Sequence, residues 1–254
     1  MAVKEIPVST LTTQQATDHV MNERKILAAL TESNVGYASD LIGTLKTESS
    51  IFLVMEFVQG ELLTDFLKRK TKLTEAETRS IITQVLDILA DLHSRRIIYR
   101  DLKLTNLIIH EARLRLIDYG LSKIVGVEGR TRSICGTVHA MAPELVSPLE
   151  GGYSFEIDCW ALGVLLFELC EFRAPFGYAR TEADFLQSPE SLEFRRTEDV
   201  QLQELIQRLL TADVNDRFTL EDVRRHPWMK YQSSPVVQQV PKSLEDDTSF
   251  WDTF

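Results

Sequence analysis

The N-terminal part of the chain has the apolar spacing of a short strand followed by a helix. Two apolar residues ahead of a proline predict a strand over Ala2–Pro7. Thr12 and Gln15 then form a capping-box pattern, and apolar residues recur three and four positions apart beyond it. This spacing predicts a helix over residues 13–30, with Glu23 near its middle.

The rest of the chain alternates between short apolar runs and longer helical patterns. Residues 37–45 and 51–57 are strand-like runs separated by a polar turn. Thr74 and Glu77 form a second capping box ahead of apolar residues at helical spacing. The remaining predicted elements are short apolar runs at residues 106–109 and 114–117 and helices near residues 161–169, 201–210 and 220–225.

The composition is that of an ordinary globular protein. The 254 residues are 44% hydrophobic and 26% charged, which argues against a disordered chain. The longest apolar stretch, residues 161–166, is far shorter than the roughly 20 residues of a membrane-spanning helix. The start of the chain lacks the basic and apolar regions of a secretory signal, so we expect a cytoplasmic protein without a membrane span.

Charge and cysteine content narrow the range of partners. The formal net charge of −10 disfavours nucleic acid, because phosphate binding needs a basic surface, and it fits a basic peptide better. Cys135, Cys159 and Cys170 have neither the spacing of a disulfide framework nor that of paired metal ligands. We therefore expect free thiols that are buried or half-buried.

The most specific pattern is the run Tyr-Arg-Asp-Leu-Lys-Leu-Thr-Asn at residues 99–106. Its aspartate, lysine and asparagine stand at the offsets that a phosphoryl-transfer catalytic loop requires. Three further motifs follow in a fixed order: Asp118-Tyr119-Gly120, Ala142-Pro143-Glu144 and Asp158-Cys159-Trp160-Ala161-Leu162-Gly163. With these motifs the chain resembles the eukaryotic protein kinases over nearly its whole length.

The resemblance implies an α+β protein with the bilobal protein-kinase-like fold. Residues 1–58 would form a truncated small β lobe from the lysine-bearing strand onward, and residues 59–230 a mainly helical large lobe. Residues 231–254, rich in Ser, Pro, Gln and Asp, would form a C-terminal tail. The implied activity is that of a kinase that uses ATP and Mg²⁺ to phosphorylate protein or peptide substrates.

The resemblance also assigns residues to the nucleotide. Lys4 is similar to the strand lysine that contacts the α and β phosphates, with Glu23 as its ion-pair partner. Other positions resemble the gatekeeper, the hinge whose backbone pairs with adenine, and the small residue that packs on the ring. In that order they are Met55, the hinge from Glu56 to Val58, and Ala2.

The catalytic loop and the motif after it supply the implied catalytic and metal-binding groups. Asp101 resembles the aspartate that orients the substrate hydroxyl and accepts its proton, and Lys103 lies where charge on the moving phosphoryl group is neutralised. Asn106 and Asp118 resemble Mg²⁺ ligands, and hard oxygen donors suit Mg²⁺ rather than zinc. The placing of Lys103 after Asp101, together with Gly136-Thr137, indicates the serine/threonine branch.

A loop rich in Gly, Arg, Ser and Thr follows these motifs and resembles an activation segment. A phosphate on Ser133 could pair with Arg100 and order the loop. Thr137 belongs to the same segment. An activating kinase is therefore an expected partner.

The remaining implied roles are structural or concern the substrate. Glu144 and Arg217 are expected to form an ion pair in the large lobe, and Asp158 to hold the backbone of the catalytic loop. Glu61 and Glu168 are expected to bind basic side chains of the substrate.

Details of the motifs are similar to the cyclic-nucleotide-dependent (cAMP- and cGMP-dependent) kinases of the AGC group. Tyr99 replaces a histidine, and the chain ends in an acidic stretch followed by Trp251 and Phe254, as in the cGMP-dependent kinases. Such a tail would wrap the small lobe and place its aromatic rings beside the helix that carries Glu23. The alternative is a disordered end. Tyr119 replaces the usual phenylalanine, which keeps the ring.

The pattern departs from the family ahead of Lys4. Kinases of this type carry two strands and a Gly-x-Gly-x-x-Gly loop before this lysine, and the sequence contains no such loop. Without it, the phosphates would lose a cradle of backbone N–H groups. Two function classes therefore stay open: an active serine/threonine kinase, and a pseudokinase or regulatory binding module that does not turn over ATP.

Overall fold

The architecture combines a small antiparallel sheet near the N-terminus with a mainly helical body. The computed structural model describes residues 1–126, 129–133, 141–146, 151–176 and 192–230. Within these ranges, three strands and one long helix form the N-terminal part, and further helices with two small sheets form the rest. The α+β class predicted from the sequence is confirmed.

The N-terminal sheet determines which side chains of its first strand share a face. Its antiparallel strands, in the order β1-β3-β2, are β1 (Ala2–Pro7), β2 (Leu41–Lys46) and β3 (Ser50–Met55). Ala2 pairs with Met55, and Lys4 pairs with Leu53. Because residues two apart and residues directly opposite point to the same side of a sheet, these four side chains lie on one face.

One strand starts later than predicted, because the backbone before it forms a hydrogen bond outside the sheet. β1 has the predicted bounds, but β2 begins at Leu41 rather than at residue 37. The carbonyl oxygen of Tyr37 accepts a hydrogen bond from Leu116 N at 2.7 Å, outside the sheet. Residues 37–40 therefore form a connecting segment, although their apolar character indicated a strand.

Helix α1 (Gln14–Glu32) follows β1 and buries one side. Thr13 is its N-cap, and the Thr13 hydroxyl accepts a hydrogen bond from Ala16 N at 3.1 Å. The predicted capping box at Thr12 and Gln15 is wrong by one residue, because Thr13 has the extended backbone of an N-cap and makes the capping bond itself. The buried side chains of this helix are those of Glu23, Ile26, Leu27 and Leu30.

The helical body is built around one apolar helix. Helix α5 (Glu156–Glu171) is buried along nearly its whole length, as expected for a helix that is apolar on all sides. The capping box predicted at Thr74 and Glu77 is confirmed at the start of the helix Glu75–Ser94. The other helices of the described body are α2 (Leu63–Arg69), α3 (Glu75–Ser94), α4 (Pro143–Val146), α6 (Val200–Leu209), α7 (Leu220–Arg225) and α8 (Pro227–Lys230).

Two small sheets carry the motif loops at the surface of this body. Their strands are β4 (Glu61–Leu62), β5 (Ile97–Ile98), β6 (Leu107–His110), β7 (Arg113–Leu116) and β8 (Lys123–Ile124), paired as β4-β6-β7 and β5-β8. The run at residues 99–106 lies between β5 and β6, and Asp118 follows β7. The sheets thus bring the two motifs to one side of the body.

A buried ion pair joins α4 to the segment ahead of α7. Arg217 Nη1 lies 2.5 Å from Glu144 Oε1, and Arg217 Nη2 lies 2.9 Å from Glu144 Oε2. Both side chains are almost fully buried. A bidentate pair of this kind satisfies both charges away from water, which is the contact proposed for these residues from the sequence.

The two described cysteines have the surroundings expected from the sequence. Cys159 is buried and Cys170 is half-buried, and both are free thiols. Cys135 and the predicted tail, residues 231–254, lie outside the described residues. None of the described helices combines the length and the apolar character that a membrane crossing needs.

Glu171, at the end of α5, holds the backbone of a distant segment. Its carboxylate accepts hydrogen bonds from the backbone N–H groups of Arg195 at 2.8 Å, Arg196 at 3.1 Å and Thr197 at 2.9 Å. Burial alone would raise the pKa of Glu171, but these hydrogen bonds outweigh it and lower the pKa.

The Glu171→Gln variant should therefore lose stability in a pH-dependent way. A depressed pKa stabilises the fold above the unfolded-state value, about 4.3 for glutamate, and this contribution disappears as the pH falls through the folded-state pKa. We expect a loss of about 1–3 kcal/mol in unfolding free energy at pH 7 that shrinks below pH 4, measured by urea denaturation. Exposed Glu198→Gln is the control; a loss that is equal at both pH values would contradict the assignment.

Candidate active site

A cavity of about 330 Å³ lies between the N-terminal sheet and the helical body. Every residue predicted to contact the nucleotide lines it: Ala2, Lys4, Glu23, Met55, Glu56 and Val58. Ile108 and Ile117 line it from the helical body, and Asp118 adds a charged group. A mainly apolar slot with a few charged side chains suits a flat ring joined to an anionic group.

Lys4 is the point where three elements meet. Its Nζ atom, on β1, lies 2.7 Å from Glu23 Oε1 on α1 and 3.0 Å from Asp118 Oδ1 in the segment after β7. Burial alone would lower the pKa of Lys4, but the carboxylates of Glu23 and Asp118 outweigh it and raise the pKa. The ammonium group is therefore charged at neutral pH.

The backbone after Asp118 is adapted to this close approach. Asp118 has a φ of 60°, in the left-handed region, and its Oδ1 atom accepts a hydrogen bond from Gly120 N at 3.1 Å. A Cβ atom on Gly120 would lie only 3.1 Å from both Lys4 Nζ and Asp118 Oδ1. Burial would raise the pKa of Asp118, but Lys4 and this hydrogen bond lower it, so the carboxylate is ionised.

The three polar residues of the catalytic-loop motif are bonded to one another. Asp101 Oδ2 accepts a hydrogen bond from Asn106 Nδ2 at 2.8 Å and lies 3.0 Å from Lys103 Nζ. Asn106 Nδ2 also donates to the carbonyl oxygen of Asp101 at 2.9 Å. Because the amide nitrogen of Asn106 points to Asp101, the amide oxygen is the atom that can ligate a cation.

Asp158 holds the strained start of this loop. Arg100 has a φ of 70°, which is unfavourable for a residue with a Cβ atom. Asp158 is fully buried and accepts hydrogen bonds from Tyr99 N and Arg100 N, both at 2.9 Å, with His93 Nε2 at 2.8 Å as a third partner. These bonds fix the backbone that carries Asp101.

The predicted phosphate- and metal-binding residues and the predicted catalytic aspartate line a second cavity of about 320 Å³. Lys4, Glu23 and Asp118 line it from the nucleotide side, and Asp101 lines it from the catalytic loop. The structure thus brings together in one space the charged groups that the sequence motifs singled out separately.

Ser133 and Arg100 are in direct contact. Arg100 Nη1 donates a hydrogen bond to Ser133 Oγ at 2.7 Å, and Ser133 Oγ lies 3.3 Å from Thr131 Oγ1. Lys123 Nζ donates to Thr131 Oγ1 at 2.7 Å. A cluster with these cations around a serine hydroxyl can accommodate a phosphate. Thr137 lies outside the described residues.

Several residues of these sites were missed from the sequence. Burial, and then the charges of Arg100 and Lys123, lower the pKa of His19, which lines the second cavity together with Asp101. The only signal for His19 was its position one turn before Glu23 on the same helix face, and no motif marked Lys123. Ser39, Ile108 and Ile117 fall within the predicted strand-like and apolar runs, which carry no signal for a cavity.

The two glutamates predicted to bind basic substrate side chains differ in their surroundings. Glu61 forms a bidentate pair with Arg69, with Nη2 to Oε2 at 2.7 Å and Nε to Oε1 at 3.3 Å. A basic substrate side chain would have to displace Arg69. Burial raises the pKa of Glu168, on α5, to about 8, so its carboxyl group is mostly neutral at pH 7.

Comparison with known proteins supplies the family. The profile described as "Protein kinase domain" matches residues 1–229. A probable serine/threonine-protein kinase CCRP1 of Zea mays is 31% identical over 98% of this chain and 39% of its own length. A putative ribosomal protein S6 kinase alpha-2 of Caenorhabditis elegans is 34% identical over 95% of this chain and 33% of its own length.

A third relative is a cGMP-dependent protein kinase, isozyme 2 forms cD5/T2, of Drosophila melanogaster. It is 29% identical over 99% of this chain and 28% of its own length. The chain therefore spans between 28% and 39% of the length of these three relatives.

Proposed function

The chain belongs to the protein kinase family, and on this premise we propose that it transfers the γ-phosphoryl group of ATP to serine or threonine hydroxyls of protein substrates. The observation that carries the proposal is the position of Lys4 between Glu23 and Asp118, in a cavity shared with Asp101. The serine/threonine kinases among the relatives support the choice of acceptor. A non-catalytic binding module is the alternative that the experiments below separate from it.

The first step in the proposed reaction is the binding of the nucleotide. The apolar lining from Ala2, Met55 and Val58 fits the adenine ring, and the predicted hinge from Glu56 to Val58 lines the same cavity. Lys4 supplies the positive charge for the α and β phosphates. Its ion pair with Glu23 holds the long side chain in one orientation, so less freedom is lost when the nucleotide binds.

Mg²⁺ fits the oxygen donors of Asp118 and Asn106. Bound there, the ion would neutralise charge on the phosphates and help to orient them. Among the described residues, no group of three or more His, Cys, Asp or Glu side chains is arranged to hold a metal ion by itself, so phosphate oxygens and water would complete the coordination. Asp118 is kept ionised by Lys4, and Asn106 is oriented by Asp101.

Asp101 and Lys103 act on the acceptor and the moving group. The Asp101 carboxylate would accept a hydrogen bond from the substrate hydroxyl, orient it for attack and take its proton. Lys103, 3.0 Å from Asp101 Oδ2, would stabilise negative charge that develops on the transferred phosphoryl group. Asp158 keeps both residues in place through the loop backbone.

Phosphorylation of Ser133 by an activating kinase is the regulation we propose. A phosphate on this hydroxyl would meet Arg100, and Lys123 is linked to it through Thr131. New charge-assisted bonds would order the segment around Ser133 and hold Arg100, the residue before Asp101. Phosphorylation of Ser133 would then affect catalysis, because Arg100 is joined to Asp101 by a peptide bond.

We further propose the domain division and the compartment given by the sequence. Residues 1–58 would be the small lobe, residues 59–230 the large lobe, and residues 231–254 the tail. The free thiols Cys159 and Cys170 fit a reducing compartment, which supports a cytoplasmic location.

Nucleotide binding is the first test. Calorimetry should detect binding of ATP·Mg²⁺, and Lys4→Met or Asp118→Ala should weaken it at least about tenfold, because each removes a charge that faces the phosphates or the metal. Lys46→Met, which removes an exposed lysine of β2, is the matched control and should bind as the wild type does. No binding by the folded wild type would favour the non-catalytic module.

Asp101→Asn tests the catalytic role. The variant keeps the size of the side chain but cannot take the proton, so we expect kcat for a serine or threonine peptide to fall by about 10²–10⁴. ATP·Mg²⁺ affinity should be nearly unchanged, which a parallel calorimetric titration checks. An unchanged kcat would remove Asp101 from the role assigned to it.

Ser133→Ala tests the switch. Treatment with an activating kinase should raise the kcat of the wild type, and Ser133→Ala should show no such rise because the phosphate that pairs with Arg100 is missing. Ser80→Ala, which removes a serine hydroxyl from α3, should respond like the wild type. An equal rise in Ser133→Ala and wild type would place the switch elsewhere.

A further inference from the structure

Tyr37 joins the segment between α1 and β2 to two elements of the helical body. The Tyr37 hydroxyl donates a hydrogen bond to Asp91 Oδ2 on α3 at 2.6 Å. The carbonyl oxygen of the same residue accepts a hydrogen bond from Leu116 N, at the end of β7, at 2.7 Å. Leu116 lies two residues before Asp118, so Tyr37 is bonded to the segment that leads directly to the predicted metal ligand.

Asp91 is itself fixed by a second bond. Arg95 Nε donates to Asp91 Oδ2 at 2.8 Å, and Arg95 Nη1 donates to Ser33 Oγ at 2.7 Å. Ser33 follows the last residue of α1, so the four side chains Ser33, Arg95, Asp91 and Tyr37 connect the end of α1 to α3. We call this set the α1 anchor.

The protonation states suit these bonds. Burial alone would raise the pKa of Asp91, but the hydrogen bonds from Arg95 and Tyr37 lower it, so the carboxylate is ionised. Burial and the hydrogen bond to Asp91 raise the pKa of Tyr37, so its hydroxyl is protonated and donates. The Tyr37 bond is therefore one between a neutral donor and a charged acceptor, a strong class of hydrogen bond.

The residues next to Tyr37 reach the nucleotide cavity. Arg115 Nη2 donates to the carbonyl oxygen of Ala38 and to Glu56 Oε2, both at 2.6 Å. Ser39 Oγ donates to the carbonyl oxygen of Glu56 at 2.7 Å. One short segment is thus bonded to α3, to β7 and to the residue that follows β3.

We infer that Tyr37 is a positioning residue for phosphoryl transfer: its bonds to Asp91 and Leu116 set the position of α1, with Glu23, relative to the segment that carries Asp118. The inference rests on the proposed function. Tyr37 acts through the elements that it joins and does not itself touch the reacting groups.

The geometry at Lys4 explains why this position matters. One Nζ atom has to stay within hydrogen-bond distance of Glu23 and of Asp118, at 2.7 and 3.0 Å. If α1 moves relative to β7, the ammonium group can follow one carboxylate but not both, and its place opposite the phosphates changes. A misplacement of about 1 Å at a reacting centre is enough to reduce a rate strongly.

Tyr37→Phe is the informative variant, because it keeps the ring and removes only the hydroxyl. We expect kcat to fall roughly tenfold while KM for the peptide stays within about twofold, since the peptide site is untouched. Asp91→Asn keeps an oxygen acceptor for Tyr37 and should lose less activity than Asp91→Ala. Asp87→Ala is the matched control: Asp87 lies one turn earlier on α3 and pairs with Arg224 of α7 at 2.7 Å, away from the α1 anchor.

Hydrogen exchange on the same variants measures the anchoring without activity. In Tyr37→Phe, amide exchange should accelerate in peptides that cover residues 33–46 and 107–118, and it should be unchanged in α6 (Val200–Leu209) and throughout Asp87→Ala. Faster exchange in α6 as well would show general destabilisation and overturn the inference. Unchanged local exchange, or locally faster exchange with an unchanged kcat, would also overturn it.

The two proposals fail in different ways. A wild-type chain that transfers no phosphate would overturn the proposed function, while locally faster exchange in Tyr37→Phe would still support the anchoring of α1. An active wild type with a Tyr37→Phe variant equal to it in kcat and exchange would overturn the role of Tyr37 alone.

Discussion

The ammonium group of Lys4 imposes the strictest requirement on this fold, because it has to reach carboxylates that come from two other elements. Glu23 is almost completely buried, and a buried carboxylate without a partner would be strongly destabilising. Asp118 is more exposed, and the same cation contributes to the lowered pKa of its carboxyl group. The place of β1 in its sheet, the approach of α1 and the end of β7 are therefore not independent, since a shift in any of them breaks one of two short contacts.

The backbone of both motif loops contains a residue in an unfavourable conformation. Arg100 and Asp118 both adopt left-handed conformations, and both lie next to groups that do the proposed chemistry. Each conformation is offset by specific acceptors: Asp158 binds the N–H of Arg100, and the Asp118 carboxylate binds Gly120 N. In a regular helix or strand, the direction of each side chain is fixed by the repeat of the element. The irregular loops free Asp101 and Asp118 from this repeat, so both can point into one cavity.

The sequence predicted those parts of the structure that leave a local signal. The bounds of β1 and α7 and the Thr74 capping box followed from residue spacing. The predicted nucleotide-contacting residues, which line the cavity, followed from the resemblance to the protein kinases. The N-cap of α1 was placed one residue too early, because adjacent threonines offer the same chemistry. The α1 anchor had no signal at all: Tyr37 and Asp91 are far apart in the chain, and a hydrogen bond between them has no period and no motif.

The side chains around the shared cavity carry an excess of negative charge, which favours the binding of a divalent cation in the proposed complex. Glu23, Asp101 and Asp118 bring carboxylates to the shared space, and the ammonium groups in contact with them are those of Lys4 and Lys103. These groups carry one negative charge in excess before any nucleotide arrives. A triphosphate would add several more in a partly desolvated site, where repulsion between charges is much stronger than in water. Lys4 is already paired with two carboxylates, so in the proposed complex a cation shared by the phosphates and Asp118 would offset the remaining repulsion.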